Sequence, residues 1–415
     1  LNGKPKLSRA STNISSEKTS LLGKSTAVRS SFDADWWVMF RHDLTHTGHS
    51  TSVAPETNNT IWNYTTGADV SSSPAVVDGR IFAGSWDTKV YALNATNGNF
   101  IWSYMTGSAV ASSPAVADGK VYIGSYDRKV YAINATSGTL VWSYTTGGVV
   151  EASPAVVEDM VYIGSNDRKV YAINATSGKL VWTCTTGGFV SSSPAVADGK
   201  IYIGSCDRKV YALNASNGAV VWSYTTGGDV SSSPAVADGT VYVGSNDRNV
   251  YALNATTGGL IWNYTTGDFV SSSPAVADGK VFVGSWDYNV YALNATDGTL
   301  VWNYTTGDIV RSSPGVADGK VYIGSDDYKV YSLNATTGAL IWDYTTGDIV
   351  PSSPAVAEGR VFAGSCDDRV YAFSTHDVAI TNVTPSASVV IIGEVVDVTV
   401  TVENQGTETE TFNVT

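Results

Sequence analysis

YAINATSGTLVW, residues 131–142, returns as YALNATNGNFIW (91–102), YAINATSGKLVW (171–182) and YALNASNGAVVW (211–222), and three more times after those. The copies set a period. Trp62, Trp102, Trp142, Trp182, Trp222, Trp262, Trp302 and Trp342 are spaced by 40 residues. So are Pro74, Pro114, Pro154, Pro194, Pro234, Pro274, Pro314 and Pro354, with no insertion or deletion. A fixed period of this kind marks a repeat architecture in which each copy is one supersecondary unit.

One unit reads as four short strands. SSPAVADG (112–119) holds the first, and Asp118-Gly119 is a hairpin turn, since Gly tolerates positive φ. KVYIGS (120–125) is the second, and Tyr126-Asp127-Arg128 turns the chain into the third, KVYAINA (129–135). Thr136-Ser137-Gly138 turns it again into TLVWSYTTG (139–147), the fourth. Apolar residues fall on both faces of these strands, so each sheet must be covered on both sides. Sheets stacked around an axis do this. The expected fold is all-β: an eight-bladed β-propeller of four-stranded antiparallel blades. No 3.6-residue period survives so many Gly and turn signals. The first Trp precedes the first Pro, and the last Pro has no Trp after it. TIWNYTTG (60–67) should therefore supply the fourth strand of the last blade, pairing with 351–375 and closing the ring with no open edge.

Composition narrows the function. The 415 residues are enough for one large repeat domain plus extra pieces. Only 15% are charged, and the net charge is −13. An acidic surface repels phosphate backbones, so nucleic acid is not an expected partner. No apolar run reaches the roughly 18 residues of a membrane helix, so no membrane span is expected. Cys184, Cys206 and Cys366 form no CxxC pair, and His42, His46, His49 and His376 lie outside the repeats. Neither a metal site nor a Cys–His nucleophile is expected. Cys206 and Cys366 fall on opposite blades, too far apart for an intrachain disulfide.

The unit resembles the pyrroloquinoline-quinone (PQQ) enzyme repeat, whose blades carry an A-x-D-x-x-T-G-x-x-x-W pattern. ALNATNGNFIW (92–102) and its copies carry the resemblance, and DWWVMFRHDLTHTGHS (35–50) is similar to the segment before that family's first blade. The likeness covers about 35–375. It implies that each Trp docks between neighbouring blades. The family's enzymes hold PQQ over calcium with acidic and amide ligands, an acidic base and often a disulfide between adjacent cysteines. No adjacent cysteines occur here, and no catalytic residue carries over position by position. No cofactor and no catalysis are therefore expected. The closer resemblance is to non-enzymatic PQQ-like propellers, including bacterial outer-membrane assembly lipoproteins and surface proteins of methanogenic archaea. The tail, residues 376–415, resembles the start of an immunoglobulin-like adhesion module of the CARDB type. It has three or four of about seven strands, so the module is either cut or completed by another copy. Residues 1–34, rich in Ser, Thr and Lys, read as a flexible leader.

Residues identical in every copy satisfy the same local geometry eight times. Asp127 and its equivalents Asp87, Asp167, Asp207, Asp247, Asp287, Asp327 and Asp367 form a ring that calcium could occupy, but capping of each turn is the expected role. Positions that change between copies are better site candidates. The slot before that Asp holds Trp86, Tyr126, Asn166, Cys206, Asn246, Trp286, Asp326 and Cys366. The inter-blade loop, on the same face, carries Phe189 and Phe269. Glu151 and Arg311 break the Ser run before the first strand, four blades apart and on opposite sides of the channel. The candidate ligand-binding face therefore comprises Trp86, Tyr126, Asn166, Asn246, Trp286, Asp326, Glu151, Arg311, Phe189 and Phe269. Aromatics beside amides and acids suit surface glycans or protein loops; drift of tolerant loop residues would give the same variation.

Sequons are dense. N-x-S/T occurs at Asn94, Asn134, Asn174, Asn214, Asn254, Asn294 and Asn334 on one turn, and at Asn63, Asn263 and Asn303 on fourth strands. Asn13, Asn58, Asn382 and Asn413 add four more. The turn is the primary role of Asn134, with N-glycosylation a second one. The expected protein is an extracellular cell-surface glycoprotein, a binding or structural scaffold. The alternatives are a PQQ-dependent dehydrogenase and a self-assembling surface-layer or filament subunit.

Overall fold

The computed structural model describes residues 35–374 and the strands Val378–Pro385 and Val398–Asn404, which pair antiparallel. The expected leader and most of the expected CARDB-type segment lie outside the described residues.

Local chemistry sets each strand junction. Asp118 and Gly119 take φ of 48° and 69°, the left-handed pair that a two-residue turn between right-twisted strands requires. Ala115–Ala117 thus folds back on Lys120–Gly124. Asn134 ends Lys129–Asn134 and caps the next turn. Its Oδ1 accepts the N–H groups of Thr136 and Ser137 at 3.0 and 2.8 Å. Gly138, at φ 70°, then leads into Leu140–Thr145.

Repetition of this unit gives eight blades of four antiparallel strands, with blade 1 over 75–105, blade 2 over 115–145 and so on to blade 7 over 315–345, where His49–Ser50 adds a short fifth strand parallel to Gly315–Ala317. Blade 8 takes three strands from 355–374, and its fourth is Thr60–Thr65, paired Thr60↔Phe373 and Thr65↔Arg369. The molecule is an eight-bladed propeller closed by its N-terminal strand, as the offset of Trp and Pro predicts. One expectation needs correction. Closure completes the ring, yet the fourth strand ends its sheet in every blade, so its outer edge stays unpaired. Blades meet face to face, and closure adds no partner on the outside.

The indoles join the blades. Trp142 Nε1 donates to the Ala175 carbonyl of the next blade's Asn-Ala-Thr turn at 2.9 Å, and Tyr122 donates to the same oxygen at 3.2 Å. The ring lies over Gly178, where an added Cβ would sit 2.7 Å from the indole. That position needs Gly for its φ of 68° and for this clearance. A bulge at Val141, between Leu140↔Ile133 and Trp142↔Ala132, leaves Leu140 and Val141 both exposed. The docking recurs from Trp62 on Ala95 to Trp302 on Ala335. Blade 8 reads Ser374-Thr375-His376 in place of Asn-Ala-Thr, and the Pro55 carbonyl accepts from Trp342 at 3.2 Å and Tyr322 at 3.0 Å.

Residues 35–55 plug the axial channel. Their carbonyls accept first-strand N–H groups in blade order: Trp37 from Val76, Val38 from Val116, Leu44 from Val196, Thr45 from Val236, Thr47 from Val276 and Gly48 from Val316, at 2.6–2.8 Å. Arg41 is buried at the centre and donates to the carbonyls of Pro274 and Pro314. Burial pushes its guanidinium down to about 9. His46 is buried too. Burial pulls it to about 4, so the neutral ring donates from Nδ1 to the Pro234 carbonyl at 3.2 Å. His42 latches the plug's start, 2.9 Å from Asp35, whose other oxygen accepts from Thr51 at the plug's end.

A candidate binding cup on the open face

Above the plug the channel opens into a cup of about 190 Å³ with Phe40 at its floor. Its wall is a ring of serines. The N–H of Ser73 donates to Ser113 Oγ, Ser113 to Ser153, Ser153 to Ser193, and Ser193 to Ser233. Ser233 continues to Ser273, Ser273 to Ser313, Ser313 to Ser353, and Ser353 back to Ser73. All eight bonds lie between 2.8 and 3.1 Å. Each hydroxyl that has accepted an N–H keeps its own proton to donate. The cup thus presents a circle of eight O–H groups.

The rim carries the variation. Glu151 and Arg311 both line the cup, from blades 3 and 7. The slot before the invariant Asp reaches the same rim: Trp86 and Trp286 donate from Nε1 to Ser71 and Ser271, each at 2.8 Å. Two clusters form. In one, Trp86 packs on Tyr126 with ring centres 5.5 Å apart, and Tyr126 bonds Glu151; burial and that bond push the phenol up. In the other, Phe269 packs on Trp286 at 5.5 Å, and the Arg311 guanidinium lies 5.7 Å over the indole while pairing with Asp326.

Some of the sequence candidates sit differently from the expectation. Asp326 is not an open surface acid. It is 8% exposed and held by Arg311, and burial pushes its carboxyl up against that pull. Asn166 and Asn246 are half-buried, each with an Oδ1 that has no partner among the described residues. Phe189 is exposed but does not line the cup. Cys206 and Cys366 are free thiols in the same loops, and burial beside Asp69 pushes Cys366 up to about 12.

The invariant Asp does more than cap its turn. Asp127 accepts the Lys129 N–H at 3.0 Å on Oδ1, and on Oδ2 it accepts the N–H of Gly107, 2.8 Å away on the linker from blade 1, and the Tyr131 hydroxyl. Among the described residues no three His, Cys, Asp or Glu side chains gather to hold a metal ion. The turn sequons keep Asn Oδ1 engaged, as at Asn134. Asn63, Asn263 and Asn303 stand exposed on outermost strands.

Sequence reasoning missed the serine ring and the plug. A trace of each was present: Ser recurs before every first strand, and 35–50 concentrates Arg, His and Trp in a chain poor in charge.

A family model described as "Outer membrane protein assembly factor BamB" (PQQ_2) matches residues 47–153, 145–231, 226–311 and 305–381. Among solved structures, BamB from Moraxella catarrhalis superposes with a TM-score of 0.68 at 20% identity, covering 77% of this chain and all of its own. A europium-containing methanol dehydrogenase reaches 0.71 at 15% identity, over 80% of this chain and 90% of its own. The computationally designed Ika8 protein reaches 0.68 at 16% identity, over 75% and 97%. Likeness at these identities is likeness of fold. No curated protein matched the sequence.

Proposed function

The chain belongs to the PQQ_2 repeat family, and from that premise we propose that it is an extracellular cell-surface scaffold that uses its propeller as a binding platform and catalyses nothing. One observation carries this reading. Blades that are otherwise near-copies differ most on one face, and there the differing side chains gather around the cup in two aromatic and charged clusters. A circle of hydroxyls with aromatic plates at its rim suits surface glycans or the loops of surface proteins. The family's description as an assembly factor also names a task done on proteins. Binding to glycan arrays and purified surface proteins should fall about thirtyfold in a Trp86→Ala/Trp286→Ala chain. Unchanged binding would remove this face from consideration. Dense sequons support the surface location, and peptide mapping of native material should find glycan on Asn134 or Asn263. Bare Asn at both would leave only the turn role.

The dehydrogenase reading fares worse against the cup. PQQ carries three carboxylates and would need several cationic or amide donors, with calcium beside them. The cup offers one guanidinium already paired with Asp326, one carboxylate already bonded to Tyr126, and the serine hydroxyls. This donor set does not fit the cofactor. Reconstitution with PQQ and calcium, followed by a dye-linked alcohol assay, should give no turnover; turnover at ordinary enzyme rates would overturn the scaffold reading.

A further inference from the structure

The loop between second and third strands ends in a tip residue that is exposed in blades 2–7 and half-buried in blades 1 and 8. Its occupants are Thr88, Arg128, Arg168, Arg208, Arg248, Tyr288, Tyr328 and Asp368, in blades 1 to 8, and all have φ between 69° and 77°. A left-handed position favours Gly or Asn, and side chains there carry a cost of about 1 kcal/mol or more. None of the eight copies is Gly or Asn. Strain that is kept at a surface tip points to a use for the side chain.

The occupants are not scattered. The four Arg residues run consecutively through blades 2–5 and are exposed. Among the described residues the Lys and Arg ion pairs are made by Arg80, Lys89, Arg311, Lys320, Lys329 and Arg360, not by these four. Tyr288 and Tyr328, 45% and 47% exposed, occupy blades 6 and 7, and Asp368 occupies blade 8. A second slot divides the face in the same sense. The residue after each Thr-Gly of the linkers is Ala or Ser on the way into blades 1 and 2 and Gly into blades 3–5, but Asp268, Asp308 and Asp348 into blades 6–8. At these two slots one half of the open face is basic, and the other is acidic and aromatic. The dividing line passes through blades 1 and 5, which lie opposite each other in an eight-blade ring.

We propose that this face pairs with the same face of a second copy, about a two-fold axis along that line. This names the partner of the open face and rests on that face being an interaction surface. Equivalent tips lie at equal radius, so the axis sets blade 2 on blade 8, blade 3 on blade 7 and blade 4 on blade 6. Arg128 then meets Asp368 of the other copy, Arg168 meets Tyr328, and Arg208 meets Tyr288, while on the axis Thr88 faces Thr88 and Arg248 faces Arg248, the one like-charge contact of the set. One ion pair and two cation–π pairs form on each side, the self-complementarity that an isologous interface demands. In the neighbouring slot, Lys329 and Asn249 turn across the sheet: Lys329 reaches Asp343 at 2.7 Å, and Asn249 accepts from Thr265 at 2.6 Å. Two cups facing each other would enclose one chamber lined by both serine rings.

The test is sedimentation of the full chain at low and at high salt. A dimer is expected at low salt and should weaken as salt rises. Arg128→Asp alone and Asp368→Arg alone should each weaken dimerisation about tenfold, since each change strikes two symmetric pairs. The double swap R128D/D368R should recover it. A chain that is monomeric at every salt concentration overturns the pairing, and so does a dimer that the swaps leave unchanged. The platform reading is judged separately by the Trp86→Ala/Trp286→Ala binding test: a monomer whose ligand binding falls in that variant keeps the platform and loses only the self-pairing.

Discussion

A single indole shows how residue chemistry becomes architecture here. Trp182 is 8% exposed, donates to Ala215 at 3.0 Å and lies over Gly218. Trp182→Ala removes both the packing and the bond, and should cost about 3–5 kcal/mol in denaturant unfolding. Trp182→Phe should cost clearly less, because the ring is kept. His42 is buried, which works against its charge, but Asp43, 3.6 Å from Nδ1, and the hydrogen bond to Asp35 win and hold its pKa above 6.5. The stability it contributes is complete below 6.5 and is lost as pH rises through the folded value. His46 acts in the opposite sense: its folded pKa is lowered from 6.5 to about 4, so stability falls as pH drops through that interval. Melting temperature should therefore peak near neutral pH. In His42→Gln the alkaline decline should flatten while the acid limb stays; an unaltered alkaline limb would mean that the latch carries no charge. The turn role of Asn134 was legible in the sequence because it depends on neighbours two and three residues away. The burial of Asp326 was not, because its partner Arg311 comes from a different strand junction and solvent access is decided by the whole rim.

At the scale of elements, strands and turns were readable almost to the residue. Each is governed by Gly, Asn or Asp at a fixed offset and by apolar residues on both faces. The serine ring was not readable as a ring, since its bonds join residues 40 apart and exist only once eight blades stand in a circle. Its energetics follow from burial. Ser193→Ala would leave the Ser153 N–H, buried at the axis, without an acceptor. That should destabilise the chain by about 1–3 kcal/mol, read from the midpoint of urea unfolding. A Ser193→Thr chain, which keeps the hydroxyl, should retain more of the stability than Ala. The outermost strands present another property of the element. Their edges are unpaired, nearly uncharged and rich in exposed aliphatics such as Leu140 and Val141, a pattern that invites strand addition. Asn63, Asn263 and Asn303 stand exposed on three of these strands, so a glycan on any of them would cover such an edge.

For the molecule as a whole, the fold was legible because one 40-residue period, one Trp and one Pro per unit leave a single way to count and close the ring. The function was less legible, because the open face is assembled from slots that are distant in sequence and differ in each copy. The contacts between blades raise a further matter. They are alike almost all the way round: seven indoles meet the same kind of turn, Trp342 alone donating to the Pro55 carbonyl, and every serine meets the same next serine. The repeated contacts do not distinguish the eighth neighbour from a ninth. The plug does. Its sequence does not repeat, and its carbonyls are dealt out in blade order to the first strands of blades 1, 2, 4, 5, 6 and 7, from Val76 to Val316. Duplicating residues 195–234 would supply another blade with every lateral contact satisfied, yet it would put all later blades out of step with the plug's carbonyls. The nine-unit chain should melt well below the parent, and removing residues 35–50 should narrow the gap. An equal melting temperature for the two chains would mean that lateral contacts alone set the number. The N-terminal segment is in this sense a tally: a non-repeating strip that tells a repeating chain when its ring is complete.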